Sequence, residues 1–453
     1  MMTRMIVSEY NHHNAEDKRL YEPLGAVHYT LARSRPTSFL TSLHKVFLRT
    51  FLPIGYPNSV RKEYFKYQIW DSLQGLCSYL RSVLTTQSIL IGAGVGSTDK
   101  TALAATLVWI TKDGMGMLAS LTFAYYYSDY FEVNSKEFRL LADFLNNIAL
   151  ILNLCISLYP QQFLFLSCLS AVCSSLCGLI AGATKAHISA HFAIDGHLAD
   201  VTAKESTQET AVTLCGLVLG YILAKLIGDD TRLTWIVFII LLLIHQYANY
   251  ILVRVLILDT LNPQRCWILM KLSIQREDDV FDEEITGPDT LVRLETLSRP
   301  FYLGFYGPRI GVSISVIIES LEYIFTPVDT ISLESIYKLF AGYPFLLGFD
   351  CKGRVVVCLE DKCCEKDQIK AYFIALYIMN KYQSLYSTFH MTKPDLKRRY
   401  SSLLLNDFAA ALDWWAKSLP HELLVKAGWD VGTGKTRLGT DCWRYAILTK
   451  KTD

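Results

Sequence analysis

From Phe144 to Thr184 the chain runs for forty-one residues without one Asp, Glu, Lys or Arg. Helices of soluble proteins keep a charged face toward water, and a run this long has none. At about 20 residues per bilayer crossing it is long enough for two crossings, and Pro160 stands where a hairpin between them should turn. Uncharged stretches flank it at residues 82–98, at 101–128 (interrupted only by Lys112-Asp113), at 210–224, and at 233–253, "LTWIVFIILLLIHQYANYILV". Together they predict about six membrane-spanning helices.

Charge outside these runs is unevenly spread. With six spans, one side receives Arg61, Lys62, Lys66, Arg81, Lys136, Arg139, Lys185, Arg254, Arg265 and Lys271, and the other only Lys100, Lys225 and Arg232. The positive-inside rule then puts both termini in the cytosol. The N-terminus, "MMTRMIVSEYNHHNAEDKRL", has no apolar core of a secretory signal and is too acidic for a transit peptide. Residues 1–50 read as a flexible segment with one amphipathic piece near "SFLTSLHKVFLRTFLP". The net charge of +1 gives no pull toward nucleic acid.

Beyond about residue 275 the pattern is that of a soluble α+β domain, residues 275–453. "FLLGFDCKGRVVVCLED" reads as two strands around a turn at Asp350–Gly353, "EKDQIKAYFIALYIMNKYQ" as an amphipathic helix, "LLNDFAAALDWWAKSLPHELLVKAG" as a further helical stretch, and "DCWRYAILTK" as a last strand. A mean hydropathy of +0.24 suits a membrane half joined to such a soluble half. "GWDVGTGKTRLG" imitates a phosphate-binding loop, but Trp429 stands where the first glycine belongs, and no strand precedes it. Twelve cysteines contain no CxxC pair; Cys155, Cys168, Cys173, Cys177 and Cys215 lie in apolar runs and read as small packing residues.

The interrupted run at 107–127, "LVWITKDGMGMLASLTFAYYY", has a later counterpart. Lys204-Glu205 follows Lys112-Asp113 by 204 − 112 = 92 residues; "LIAGA" (179–183) follows "LIGAG" (90–94), and "ANYILVRVLIL" follows "ADFLNNIALIL". Two three-helix copies in the same order would be an inverted repeat, as in transporters whose sites form from broken helices near the midplane. Small residues recurring at helix contacts explain the likeness as well. On the repeat reading, Gly114 and Gly116 bend the first helix, and Lys112 pairs with Glu205 and Lys204 with Asp113.

Other polar residues share helix faces at i, i+3 and i+4: Asp143 with Asn146 and Asn147, Asp200 with Lys204, Lys204 with Gln208, Glu205 with Glu209, and His245 with Asn249. Such groups must turn away from lipid, and so many of them point to a polar cavity rather than structural glue. The candidate cavity therefore comprises Lys112, Asp113, Asp143, Asn146, Asn147, Asp200, Lys204, Glu205, Gln208, Glu209, His245 and Asn249. "HISAH" puts His187 and His191 on one face near Asp195 and His197, which is either a zinc site or the polar lip of a span; the lip is preferred.

Six stretches carry a family resemblance: "FLPIGYPNSVRKEYFKYQIWDSLQGL", "KDGMGML", "ADFLNNIAL", "AGATKAH", "ADVTAKESTQET" and "HQYANYILVRVLILDTLN". In order over residues 50–265, they resemble the root UVB sensitive (RUS) family of plants and animals. "AGWD" and "CWRYAIL" look like its more variable tail. The resemblance implies a multi-pass membrane protein; plant members are associated with root light responses, seedling development and auxin transport, often in plastids. It brings no catalytic activity and no catalytic residues.

The expectation is a mainly α protein: a helical membrane domain over 51–265, with six spans and a possible 3+3 inverted repeat, followed by the α+β domain. It is expected to carry a small polar or anionic solute, with the bilayer as its surroundings and with no catalytic site, cofactor, metal or nucleic acid. The alternative is a membrane scaffold that binds a protein partner through its C-terminal domain.

Overall fold

Asp230 shows how the helices of this chain are bounded. Its carboxylate accepts the N–H groups of Arg232 and Leu233 at 2.9 and 3.1 Å, capping the helix that starts at Thr231. Just before it, Gly228 takes a φ of 58° and ends the preceding helix. Pro160 acts similarly in the long uncharged run, opening a 3-10 turn at Pro160–Gln162 between two helices. The predicted hairpin is therefore present.

The computed structural model describes residues 7–11, 14–23, 29–33, 46–93, 102–194, 196–228, 230–275, 286–295, 307–326, 331–382, 392–432, 438 and 443–446. Strands β1 (Val7–Asn11), β2 (Asn14–Pro23) and β3 (Tyr29–Arg33) pair antiparallel in chain order, where the sequence reading had only a flexible segment. Six long helices follow: α1 (Tyr64–Ala93), α2 (Ala102–Tyr127), α3 (Ser135–Cys155), α4 (Phe163–Phe192), α5 (Leu198–Ile227) and α6 (Thr231–Val255). Among the described residues, the spans Ser135–Cys155, Pro160–Phe192, Leu198–Ile227 and Thr231–Val255 are long and apolar enough to cross a membrane. Helices α1 and α2 match them in length, at 30 and 26 residues, but are not among these four. The six-span expectation thus reduces to four qualifying helices.

Two compact units form. The first gathers Met1–Leu118, Asp143–Gly178 and Lys185–Val255. Its core joins Leu84 of α1, Leu150 and Leu154 of α3, Ile227 of α5 and Phe238 of α6. Outward faces are apolar as well: Leu118 of α2, Leu214 of α5 and Leu243 of α6 are all more than 60% exposed. Large apolar side chains exposed on several helices fit a lipid environment.

Small residues let these helices approach closely. A Cβ at Gly216 of α5 would stand 2.8 Å from the Tyr79 ring of α1, and one at Gly220 would stand 3.1 Å from Val83. This is a GxxxG face laid against a neighbouring helix. Gly116 of α2 has the same role, since a Cβ there would overlap Ser175 Oγ of α4 and lie 3.1 Å from the Ala171 carbonyl. Helix α2 runs unbroken through Gly114 and Gly116, so the expected bend is absent. Lys112 is the eleventh residue of α2, whereas Lys204 is the seventh of α5. The two Lys-acid pairs therefore do not occupy equivalent places.

The second unit gathers Ala119–Ala142, Leu179–Thr184 and Leu256–Asp453. Strand β5 (Phe345–Phe349) pairs antiparallel with β6 (Val355–Glu360), as the sequence predicts. Asp350 closes the hairpin by accepting the N–H groups of Lys352 and Arg354, and Gly353 supplies a φ of 77°. Strands β4 (Arg309–Ile310) and β7 (Arg444–Tyr445) both run parallel to β6. All of β5 and nearly all of β6 are buried, which is why both read as continuous apolar runs. The predicted helix over the "EKDQ" stretch spans Glu365–Tyr382. The core also takes in Cys266, Leu269 and Met270 from a helix at Pro263–Gln275. Of the imitation phosphate loop, residues 433–437 lie outside the described residues.

Three cations counted as loop charges are buried. Arg81 lies within α1 at zero exposure, and Lys136 and Arg265 both bind Glu295 inside the second unit, each at 2.5 Å. Burial would push the Glu295 carboxyl up, but these two cations outweigh it and hold it below its ordinary value.

Candidate functional site

Helix α1 carries a polar stripe that the sequence reading left outside the membrane domain's polar face. Gln74, Ser78, Arg81, Thr85 and Ser88 recur at i, i+4, i+7, i+11 and i+14, one face of a helix. Against this face α3 presents Asp143, Asn146 and Asn147, and α6 presents His245. The Gln74 amide nitrogen lies 2.8 Å from Asp143 Oδ1 and 3.3 Å from His245 Nε2. Asn146 donates to Ser78 Oγ at 3.0 Å, and Arg81 donates to Asn147 Oδ1 at 2.5 Å. The Arg81 guanidinium lies 5.9 Å from the Phe238 ring centre. Asn249, also at zero exposure, has no hydrogen-bond partner for either amide atom among the described residues.

A second cluster occupies the first turns of α5. Asp200, Lys204 and Gln208 are spaced i, i+4, i+8, and all three hold the backbone of the segment before α1. Asp200 accepts the Ile54 N–H at 2.7 Å, Lys204 donates to the Arg49 carbonyl at 2.5 Å, and Gln208 donates to the Phe51 carbonyl at 2.6 Å. Glu205 points elsewhere, accepting from Gln68 at 3.1 Å and from Ser189 at 2.5 Å. Glu209 pairs with Lys185. His191 pairs with Glu63 at 2.9 Å, which corresponds to the polar lip. Among the described residues, no group of three His, Cys, Asp or Glu side chains is placed to share a metal ion.

Lys112 and Asp113 belong to a third place. They stand 3.6 Å from each other, and the Lys112 ammonium sits 3.7 Å above the centre of the Trp109 ring. The expected pairs with Glu205 and Lys204 do not form, because each group is satisfied nearby. A lysine stem is long enough to swing across the 100° between adjacent helix positions. Both residues line a cavity of about 200 Å³ with Trp109, Asn153 of α3, and Ser167, Ser170, Ser174 and Ser175 of α4. Ser170 donates to the Ala149 carbonyl at 3.0 Å. The wall thus offers one cation beside one carboxylate, the aromatic rings of Trp109 and Phe163, and several hydroxyls, a set suited to a small polar or anionic molecule.

The twelve candidate residues therefore split into three clusters, with Asn249 separate, instead of lining one cavity. Sequence reasoning missed Gln68, Gln74, Ser78, Arg81, Trp109, Asn153 and the α4 serines. The periodic stripe in α1 was readable; the serines, scattered among cysteines and alanines, gave no charge to follow.

All three clusters fall within residues 38–277, which match a family described as "Vitamin B6 photo-protection and homoeostasis domain". Residues 309–447 match one described as "Root UVB sensitive protein, C-terminal". Protein root UVB sensitive 3 of Arabidopsis thaliana is 32% identical over 365 residues, covering 79% of this chain and 80% of the relative. RUS family member 1 of Dictyostelium discoideum is 38% identical over 277 residues, covering 60% of this chain and 51% of that relative. Protein root UVB sensitive 2, chloroplastic, of Arabidopsis thaliana is 34% identical over 338 residues, covering 73% and 72%. No solved structure matches the chain.

Proposed function

The chain belongs to the root UVB sensitive family, and from that premise we propose that it is an integral membrane protein that carries a small anionic solute. The observation that supports this reading is the Lys112 cavity. A cation near the middle of a long apolar helix is costly in lipid, about 2.5–3.5 kcal/mol on insertion scales, and is found where it serves a solute path. Here the cation faces hydroxyls and an aromatic ring as well as the Asp113 carboxylate. No chemical step is assigned to the site.

The matching domain is described by vitamin B6, so pyridoxal 5′-phosphate, an anionic aromatic aldehyde, is the first solute to test. Purified protein in liposomes should exchange it in a saturable manner, and Lys112→Gln should reduce exchange at least tenfold while the protein still folds. Equal exchange by the variant would remove the Lys112 site. No exchange of any small anion would favour the scaffold reading. Both termini on the cytosolic side complete the proposal, supported by the cations that remain exposed at helix ends, such as Lys62 and Lys66. Tags at each terminus, probed after selective permeabilisation, test it; termini on opposite sides would refute it.

A further inference from the structure

We infer that Gln74, Asp143 and His245 form a proton-binding site inside the helical bundle, with His245 Nε2 as the atom that takes the proton. The argument starts from the amide. A carboxylate only accepts hydrogen bonds, so the group of Gln74 that faces Asp143 must be its nitrogen. That nitrogen carries two hydrogens. One is directed at Asp143 Oδ1, at 2.8 Å, and the other is available to His245 Nε2, at 3.3 Å. When that second hydrogen is donated to the ring, His245 Nε2 is bare and the ring is neutral with its hydrogen on Nδ1. Three residues from three helices thus fix one tautomer.

Proton uptake changes this arrangement in a defined way. A solvent proton forms an N–H bond at His245 Nε2, and the hydrogen bond from Gln74 to that atom is lost. Two donors now face each other, so the Gln74 amide must rotate. The new imidazolium already stands 3.9 Å from Asp143 Oδ1, within ion-pairing distance. The site therefore has two arrangements: an amide bridge between a carboxylate and a neutral ring, and a direct ion pair. The charged and titratable groups that act on one another at this layer are Asp143 of α3 and Arg81 and Cys77 of α1. Arg81 and Asp143 act on each other with opposite charge, so one added proton leaves this layer with a net positive charge. His245 is completely buried and Asp143 nearly so, which makes that added charge costly to hold without a response from the helices. The site shares no residue with the Lys112 cavity and stands whether or not that cavity carries a solute.

Full-length protein labelled with ¹⁵N-histidine, in phosphatidylcholine liposomes, allows a direct test by solid-state NMR, with His245 identified by its absence in His245→Asn. Above neutral pH the wild-type ring should show a bare Nε2 and a protonated Nδ1. Acidification should convert it reversibly to imidazolium. Gln74→Met should release the tautomer, so that Nε2 carries the hydrogen and donates to Asp143. Asp143→Asn should require a proton concentration about tenfold higher for the same uptake. A wild-type ring protonated on Nε2 at high pH, or one that stays neutral down to about pH 4, would overturn the inference. So would an unchanged tautomer in Gln74→Met. The wild-type tautomer alone decides if a variant fails to fold.

Discussion

The guanidinium of Arg265 stands 2.5 Å from one carboxylate oxygen of Glu295, while the other oxygen binds Lys136, also at 2.5 Å. All three side chains are nearly inaccessible to solvent. Removing one partner from such a set leaves an uncompensated buried charge. Glu295→Gln should therefore cost about 3–5 kcal/mol, read as a lower urea midpoint for the full chain in detergent. A loss below 1 kcal/mol would show that the cations find other anions. The pH dependence has a definite sign. Glu295 is held below the ordinary value of 4.5, so its contribution is complete above that pH and lost as pH falls through the lower folded-state value. Wild type should lose more stability than Glu295→Gln below about pH 4.5.

Gly114 and Gly116 should respond differently to the same change. No atom lies within 4 Å of a Cβ at Gly114, so Gly114→Ala should be neutral or stabilising by up to about 1 kcal/mol through helix propensity. Gly116→Ala meets Ser175 and the Ala171 carbonyl and should destabilise by about 1–3 kcal/mol. Thermal unfolding in detergent compares them. If Gly114→Ala were the damaging one, a hinge rather than a contact would be the reason for these glycines.

Arg81 and Asn147 should be energetically coupled. A charge-assisted hydrogen bond of this kind is worth about 1.5–3 kcal/mol. Arg81→Met and Asn147→Leu should each destabilise, and the double variant should lose less than the sum of the two. A double-mutant cycle on unfolding free energies reads the coupling directly; additive losses would mean that the 2.5 Å contact contributes nothing of its own.

Where the C-terminal unit is cut should matter. Cys266, Leu269 and Met270 are fully buried in its core, yet they precede residue 275. Burying side chains of this size contributes about 1.5–3 kcal/mol each. A fragment of residues 256–453 should thus unfold at higher urea than one of residues 276–453. Equal midpoints would show that the Pro263–Gln275 helix is dispensable.

These outcomes bear on what the residues alone disclose. Pro160 as a helix boundary, the hairpin around Asp350 and the helix from Glu365 follow from local chemistry, and local chemistry is readable. The faces of α3, α5 and α6 were readable too, since i, i+4 spacing survives in any surroundings. Partners were not. Spacing puts Asp200, Lys204 and Gln208 on one face, but it does not reveal that this face meets backbone carbonyls and an N–H rather than a solute. Arg81 was misread because a lone cation near an apolar run looks like a loop charge until Asn147 is brought beside it. Lys112 and Asp113 met each other because side-chain length overrode the helix angle.

The grip of α5 on residues 49–54 has a consequence for how that segment can vary. Asp200, Lys204 and Gln208 hold main-chain atoms of Ile54, Arg49 and Phe51, not their side chains. Every amino acid except proline offers the same carbonyl and N–H. The strap is therefore indifferent to spelling but sensitive to length. Exchanging residues at 49–52 leaves the three handholds where they are, whereas inserting or deleting one residue moves all that lie beyond it out of reach.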